Sequence, residues 1–399
     1  MGEGFITRRG SSSSSGVLIE FTNYCSTVGE LIHTSTALSE ARYSLAGASV
    51  GDYALFAGGH ISSSRFYTVD AYSTSLTRSI PTCLSAGRYS LAGASVGDYA
   101  LFAGGNTGSS GSSVVDAYNT SLTRSIPTAL SAARDDLAGA SVGNYALFAG
   151  GHDGGPSNVV DAYNTSLTRS TPTALSAGRY SLAGASVGNY ALFAGGQETG
   201  INRSNVVDAY NTSLTRSTPT ALSAFISSLA GASVGNYALF AGGHTGSYSN
   251  VVDAYNTSLT RSTPAALSTA RYDLAGASVG DYALFAGGYD GSSTHSNVVD
   301  AYNTSLTRST PTALSAARDD LAGASVGDYA LFAGGYTDNF SNVVNAYSLL
   351  NVKVYIPVTQ GSKYKFTESS EQTASTNTTL VYNQRVTGYV KYKKGKITM

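Results

Sequence analysis

Six arginines recur along the chain, and each precedes a side chain that could share a binding surface with it. The pairs are Arg42-Tyr43, Arg88-Tyr89, Arg134-Asp135, Arg179-Tyr180, Arg271-Tyr272 and Arg318-Asp319. Guanidinium groups bind carboxylate or sulfate groups, and tyrosine rings stack on sugar rings or peptide side chains. The pattern predicts a ring of candidate ligand-binding residues, interrupted where Ile226-Ser227 takes the place of an arginine pair.

A second set of candidate residues lies in seven short segments that differ in length and character. The segments read HISSSRFY, NTGSSGSS, HDGGPS, QETGINRS, HTGSYS, YDGSSTHS and YTDNFS. They contribute the candidates His60, His152, His244, Tyr289 and Tyr336. The histidines have no repeated carboxylate at metal-ligand spacing, and Asp153-Gly154 and Asp290-Gly291 lack the spacing of a calcium loop. We therefore expect solvated loop histidines and neither a metal nor a cofactor.

Both sets of candidate residues belong to an internal repeat. The sequence YALFAGG occurs seven times, starting at residues 53, 99, 145, 190, 237, 282 and 329. Each unit divides into four predicted strands, LAGASV, YALFAG, NVVDAY and LTRST. The two-residue Gly-Asp or Gly-Asn link between the first two strands is typical of a tight hairpin. Four strands in a unit of about 46 residues predict a propeller blade.

Polarity increases along each unit, from small apolar residues in the first strand to a polar, proline-ended fourth strand. This order places the first strand at the axis and the fourth at the rim. The segment from Leu31 to Arg42 matches a fourth strand and its exit loop, whereas the seventh unit stops matching after Tyr347. We expect the N-terminal segment to supply the outer strand of the last blade, with Asn351 to Val358 as the rival.

The double glycine, the tyrosine of the third strand and the arginine before each first strand resemble the kelch repeat over about 320 residues. Leucines such as Leu122, Leu167 and Leu214 stand where kelch repeats have tryptophan. The resemblance implies an all-β, seven-bladed propeller of four-stranded blades. It also implies a structural hydrogen-bonding role for the arginines, which for these residues taken alone is the stronger alternative to ligand binding.

In a four-stranded blade, the loops that hold both candidate sets emerge on the same face. The loops of the opposite face, VGDY or VGNY and YNTSLTR, hardly change among the units. Sequence variation confined to one face favours a ligand-binding surface, since drift would loosen both faces. The alternative is that surface loops vary freely without a ligand.

Composition separates three regions. Residues 1–29 form a predicted flexible Gly/Ser-rich leader and lead-in, 30–349 the propeller, and 350–399 a small Lys-rich β module that contains all seven lysines. The acidic body argues against nucleic-acid binding, and no apolar run is long enough for membrane insertion. Cys25 and Cys83 are too few for a disulfide framework.

The start of the chain, GFITRRG followed by serines, resembles the start of tail-associated proteins in phages and prophages of gut Firmicutes. The resemblance implies a virion protein, extracellular after lysis, that recognises a glycan or protein receptor and contacts other virion proteins through the C-terminal module. We expect a non-enzymatic binding scaffold in this setting. The alternatives are a cytoplasmic kelch-type protein-interaction module and a carbohydrate-active enzyme such as a kelch-like sugar epimerase.

Overall fold

The structure is a computed structural model that describes residues 28–291 and 295–349, with side chains from residue 35 onward. Outside this range it describes six strands: Gly16–Glu20, Lys353–Pro357, Lys365–Thr367, Thr379–Leu380, Lys391–Lys393 and Lys396–Thr398. The chain divides into two compact units, Val28–Ser348 and a second unit made of Met1–Thr27 with Leu349–Met399. In the described part of the chain, regular secondary structure is entirely β, and no helix could span a membrane.

The first unit consists of seven four-stranded antiparallel sheets, which we number as blades one to seven in chain order. The innermost strands are Ala46–Val50, Ala92–Val96, Ala138–Val142, Ala183–Val187, Ala230–Val234, Ala275–Val279 and Ala322–Val326. The second strands are Tyr53–Ala57, Tyr99–Ala103, Tyr145–Ala149, Tyr190–Ala194, Tyr237–Ala241, Tyr282–Ala286 and Tyr329–Ala333. The third strands are Val69–Ser73, Val115–Asn119, Val160–Asn164, Val207–Asn211, Val252–Asn256, Val299–Asn303 and Val344–Leu349.

Six of the outer strands are two-residue segments that follow the third strand of the same blade. They are Arg78–Ser79, Arg124–Ser125, Arg169–Ser170, Arg216–Ser217, Arg261–Ser262 and Arg308–Ser309. Blade seven instead takes Val28–Thr34 as its outer strand, beside Val344–Leu349. The predicted propeller and its closure by the N-terminal segment are therefore confirmed.

The rival closing strand has another partner. Lys353–Pro357 pairs antiparallel with Gly16–Glu20 and with Thr379–Leu380, in a sheet separate from blade seven. A further small sheet of the second unit places Lys396–Thr398 between Lys365–Thr367 and Lys391–Lys393. The ring is thus closed by the N-terminal strand, and both ends of the chain contribute strands to the second unit.

The tight link between the first two strands of each blade depends on glycine. In blade one, Val50 pairs with Tyr53 across Gly51-Asp52, and Gly51 has a φ of +49°. Glycine adopts this left-handed conformation at the lowest cost, because it has no Cβ atom. The hairpin predicted from the sequence is confirmed in this way in all seven blades.

The innermost strands approach one another closely around the axis. A Cβ atom on Gly47 would overlap the carbonyl oxygen of Gly323 in the neighbouring blade, so the position needs glycine. Ser49 Oγ donates a 2.6 Å hydrogen bond to Ser325 O, which joins blade one to blade seven. Equivalent serine hydrogen bonds of 2.6–2.7 Å link all six remaining pairs of neighbouring blades. The axis is therefore held by a closed ring of polar contacts.

Apolar side chains fill the spaces between blades rather than one central core. In blade one, Phe56 and Tyr72 pack with residues of blade seven, including Leu331. On the other side of the same sheet, Leu55 packs with residues of blade two, including Phe102. Because both faces of each sheet are buried, the first two strands are apolar at successive positions. The resulting propeller holds the loops of the variable face in place.

Candidate functional site

Three backbone segments of each blade meet on the variable face and form a short ladder. In blade one, Tyr43 N donates to His60 O at 3.3 Å, and His60 N donates to Tyr43 O at 3.1 Å. His60 also pairs with Arg65 in a small hairpin, His60–Ile61 with Ser64–Arg65. We call the set of three paired residues from all seven blades the display grid. Its rows are Tyr43/His60/Arg65, Tyr89/Asn106/Gly111, Asp135/His152/Pro156, Tyr180/Gln197/Arg203, Ser227/His244/Tyr248, Tyr272/Tyr289/His295 and Asp319/Tyr336/Phe340.

The six candidate arginines lie beneath this grid and are fully buried. Arg42 Nη2 contacts Asp70 of the third strand at 2.7 Å and donates to the carbonyl oxygen of Phe56 at 3.2 Å. Equivalent pairs at 2.5–2.9 Å are Arg88–Asp116, Arg134–Asp161, Arg179–Asp208 and Arg271–Asp300. All six arginines, including Arg318, are 0% exposed. A ligand in solvent cannot reach them, so their placement favours the structural role over the ligand role.

Two blades depart from the ion pair in opposite ways. Blade five has Ile226 in place of arginine, and Asp253 accepts hydrogen bonds from Ser223 N at 3.0 Å and Ser223 Oγ at 2.9 Å. Burial raises the pKa of Asp253. Blade seven keeps its arginine but has a neutral partner, since Arg318 Nη2 donates to Asn345 Oδ1 at 2.9 Å. Burial lowers the pKa of Arg318 to about 10.

Aromatic side chains are concentrated in one part of the display grid. Ring centroids lie 5.8 Å apart between Tyr289 and His295, 5.3 Å between His295 and Tyr336, and 5.6 Å between Tyr336 and Tyr43. His60 lies 4.0 Å from both Tyr43 and Tyr89. The continuous set, which we call the aromatic arc, is His244, Tyr248, Tyr272, Tyr289, His295, Tyr336, Phe340, Tyr43, His60 and Tyr89.

The aromatic arc extends from blade five through blades six, seven and one to blade two. Each of its ten side chains is at least partly exposed, and Tyr248 is 37% exposed. Backbone bridges hold these residues, so the rings are arranged before any ligand arrives. The remaining part of the grid, in blades two to four, is mainly polar and includes Asn106, Gln197 and Asp135.

The polar part is organised by short hydrogen bonds rather than by ring contacts. Asn106 donates its side-chain amide to Asp135, and Gln197 Nε2 donates to Gly200 O at 2.7 Å. His152 and Tyr180 form the one ring contact confined to this part of the described grid, at 5.5 Å. Asp135 is only 8% exposed, so this candidate offers little surface to a ligand.

Seven residues that precede the innermost strands ring one end of the axis. They are Ser44, Ser90, Asp136, Ser181, Ser228, Asp273 and Asp320. Each backbone N–H donates to the carbonyl oxygen of the equivalent residue one blade before, as in Ser44 N to Asp320 O at 3.0 Å. Burial raises the pKa of Asp273 to about 7, and burial together with Asp273 raises that of Asp320. The carboxyl groups at this mouth therefore keep their protons to higher pH than ordinary aspartates do.

The candidate histidines belong to aromatic or polar contacts. Burial lowers the pKa of His60, and burial with the nearby Arg203 lowers that of His244. Arg203 Nη2 lies 2.5 Å from His244 Nδ1. Among the described residues, no group of three or more His, Cys, Asp or Glu side chains could hold a metal ion.

Sequence reasoning omitted the third position of the display grid from its candidates. This position holds Arg65, Gly111, Pro156, Arg203, Tyr248, His295 and Phe340. The available signal was the residue just before the serine of SNVV, or of SSVV in unit two, which differs among units two to seven while the serine and valines persist. Unit one reads FYTV after Arg65. Unequal loop lengths hid this alignment.

No family model matches the chain, and no curated protein matches it either. Among solved structures, the chain is similar to one titled "Structure of YjhT", with a TM-score of 0.52 and 13% sequence identity. The similarity covers 82% of this chain and 98% of that chain. At this identity the likeness concerns the fold, a propeller consistent with the kelch-like type.

Proposed function

We propose that this protein is a non-catalytic binding scaffold that recognises a glycan through the aromatic arc. The observation that carries the proposal is the unbroken series of ring contacts from His244 to Tyr89 on the face where the loops vary. The buried ion pairs and axial serine ring form a frame that can support different side chains on this face.

The chemistry of the arc suits a sugar chain. Tyrosine offers a flat apolar ring for the C–H face of a sugar and a hydroxyl group that donates or accepts hydrogen bonds. Tyrosine also has few rotatable bonds, and backbone pairing already orders its position, so binding costs little conformational entropy. A carboxylated or sulfated glycan is less suitable, because the six ring arginines are buried.

A glycan array tests the proposal directly. We expect the full chain to bind at least one glycan, and the double variant Tyr272→Ala/Tyr336→Ala to lose roughly 5- to 150-fold in affinity, since each aromatic contact contributes roughly 0.5–1.5 kcal/mol. The matched control is Asn106→Ala/Gln197→Ala in the polar part of the grid. Absence of any glycan binding, equal losses in both variants, or chemical turnover of a bound sugar would each contradict the proposal.

A second candidate function, protein recognition, is favoured by one local feature. Ile201 and Phe225 are 85% and 62% exposed and line a cleft of about 430 Å³ together with Arg203 and Glu198. Exposed apolar side chains with a charged rim are typical of protein contacts. Cross-linking of the full chain to a protein, abolished by Ile201→Ser/Phe225→Ser but not by Tyr272→Ala/Tyr336→Ala, would favour this function over glycan binding.

For the biological setting, we propose a tail-associated protein of a phage or prophage, present in the virion and extracellular after lysis. Its support is the GFITRRG and serine-rich start, which lies outside the described residues. Tail or lysis genes beside this gene, and the protein in purified virions, are the expected findings. A gene neighbourhood of unrelated cytoplasmic enzymes would favour an intracellular interaction module.

A further inference from the structure

The aromatic arc continues across the gaps between the blades that it covers. Tyr248 of blade five and Tyr272 of blade six lie 5.7 Å apart between ring centroids, and their ring planes differ by only 14°. Phe340 of blade seven and Tyr43 of blade one form the same kind of pair, at 5.8 Å and 9°. At both gaps, a ring from the third position of one row therefore lies nearly parallel to a ring from the first position of the next row.

Ring contacts also join the blades at the other two gaps of the arc. His295 of blade six lies 5.3 Å from Tyr336 of blade seven. His60 of blade one lies 4.0 Å from Tyr89 of blade two. Within blade six, Tyr289 lies 5.8 Å from His295. The rings therefore follow one another from blade five to blade two at a spacing comparable with the length of one sugar residue.

The backbone beneath the rings fixes the path of the arc. Tyr248 lies over the loop of the next blade, since a Cβ atom on Gly291 would overlap its ring. Tyr43 is held by its backbone bridge to His60, and Tyr336 by its bridge to Phe340. A ligand that contacts several of these rings must therefore adopt the shape of the arc, and little protein ordering opposes its binding.

The arc is curved, because the blades that carry it are arranged around the propeller axis. From blade five to blade two it passes through four of the seven steps around the ring, which is more than half a turn. A straight ligand can contact only the rings along one chord of this curve, whereas a ligand that bends with it can contact rings of several blades. Linked contacts increase affinity only where the geometry lets them form together.

We propose that the aromatic arc binds the interior of a curved, neutral glycan chain, an α-linked glucan of the maltooligosaccharide type, along the rings of blades six, seven and one. This inference rests on the glycan-binding function proposed above and specifies its ligand class. Glucose presents C–H groups on both faces of its ring, which suits stacking on tyrosine. The α-linkage bends a glucose chain, whereas the β-linkage of cello-oligosaccharides extends it. A neutral chain also needs no counter-charge from the six buried arginines.

The display grid supplies a matched control for a test of this site. Tyr43, Tyr272 and Tyr180 each occupy the first position of a row, and all three are partly exposed. Tyr43 and Tyr272 belong to the arc. Tyr180 lies in the polar part of the grid, where its ring contacts His152. Tyr180→Ala therefore removes the same side chain from an equivalent position outside the arc.

The experiment is calorimetric titration of the full chain with maltotriose, maltohexaose and cellohexaose, all of which consist of glucose alone. We expect maltohexaose to bind at least tenfold more tightly than maltotriose, because it contacts rings of more blades at once. It should also bind at least tenfold more tightly than cellohexaose, which cannot follow the arc. Tyr43→Ala and Tyr272→Ala should each weaken maltohexaose binding roughly 2- to 12-fold, and Tyr180→Ala should change it by less than about twofold.

The possible outcomes separate this inference from the proposed function. Equal or tighter binding of cellohexaose overturns the curved ligand, and equal binding of maltotriose and maltohexaose overturns the extended one, while glycan binding stands in both cases. Equal losses from Tyr180→Ala and Tyr272→Ala also overturn the inference, because binding is then not confined to the arc. If none of the three oligosaccharides binds but another glycan binds through Tyr272 and Tyr336, the α-glucan is wrong and the proposed function stands. If no glycan binds at all, both fail.

Discussion

Arg42 and Tyr43 are adjacent in the chain, yet they belong to two layers with opposite properties. Arg42 is 0% exposed and contacts Asp70 at 2.7 Å, in a layer that repeats in most blades. Tyr43 is partly exposed and belongs to the display grid, where no two rows are identical. The contrast shows that two adjacent residues of a repeat can belong to different layers, one buried and nearly constant among the blades and the other exposed and variable.

The buried layer makes the variability of the grid possible. Each arginine joins the exit loop to the second and third strands of its blade, so the backbone beneath the grid is fixed by side chains that a ligand does not touch. Loop side chains can then change without moving the frame. Blades five and seven, where the buried layer itself varies, are the places to test this division.

The largest effect we predict is the difference between Arg88→Ile and Arg318→Ile. Isoleucine is chosen because Ile226 is buried at the equivalent position of blade five, so the substitution limits the loss of packing. Arg88→Ile removes the 2.8 Å ion pair of the buried Asp116 and leaves it the more distant Arg124, at 3.8 Å, and the hydrogen bonds from Ser85. We expect a cost of about 3 kcal/mol, because the closest and fully buried counter-charge is lost. Arg318→Ile leaves only the neutral Asn345 and should change the free energy of unfolding by about 1 kcal/mol or less.

Chemical unfolding of both variants checks this difference. Asp116→Asn added to Arg88→Ile should recover much of the lost stability, because it removes a buried charge that only the partly exposed Arg124 then faces, at 3.8 Å. Equal destabilisation by Arg88→Ile and Arg318→Ile, or no recovery in the double variant, would show that packing rather than charge pairing governs the buried layer.

A smaller effect of opposite sign is expected for Ile226→Arg, which adds to blade five the fully buried ion pair of five other blades, beside the existing 3.4 Å contact between Arg261 and Asp253. Burial raises the pKa of Asp253 in the native protein, so the folded state loses stability as pH rises through the carboxyl range. An arginine beside Asp253 favours the ionised form. We expect a gain of roughly 1–3 kcal/mol at pH 7 that disappears in acid.

Unfolding at a series of pH values tests this prediction, with Ile226→Arg/Asp253→Asn as the control. The control should show no gain that increases with pH. A pH-independent gain from Ile226→Arg would indicate better packing, and a loss at pH 7 would show that blade five cannot accept the ion pair found in the other blades.

The sequence predicted the frame well because each blade repeats the same physical requirements. Gly51 marks the hairpin, and the match of Leu31 to Arg42 with an outer strand predicted how the ring closes. The arginine pattern predicted a ring but not its depth, because burial depends on Asp70 and its equivalents, about 28 residues further along the chain. Spacing alone did not show which of Arg42 and Tyr43 faces solvent.

The candidate site was harder to predict, since it depends on contacts between blades. Tyr43 and Tyr336 are nearly 300 residues apart in the chain and 5.6 Å apart between ring centroids. Only a closed ring brings blade seven to blade one, and only the ladder geometry shows that Phe340 shares a row with Tyr336. The aromatic arc therefore forms only when the propeller is closed, and no single repeat contains it.

The smallest effect concerns the display grid, where Gln197→Tyr should leave stability nearly unchanged. The substitution would give blade four the tyrosine pair of blade six, in which Tyr272 and Tyr289 lie 5.6 Å apart. Gln197 is partly exposed and its side-chain Nε2 donates to Gly200 O, so we expect a change within about 0.5 kcal/mol. Leu192→Ala in the same blade, at a fully buried position, should cost about 2–5 kcal/mol in the same thermal unfolding measurement. If Gln197→Tyr instead destabilises the protein as strongly as Leu192→Ala, the grid is part of the frame, and the separation between a constant buried layer and a freely varying surface does not hold.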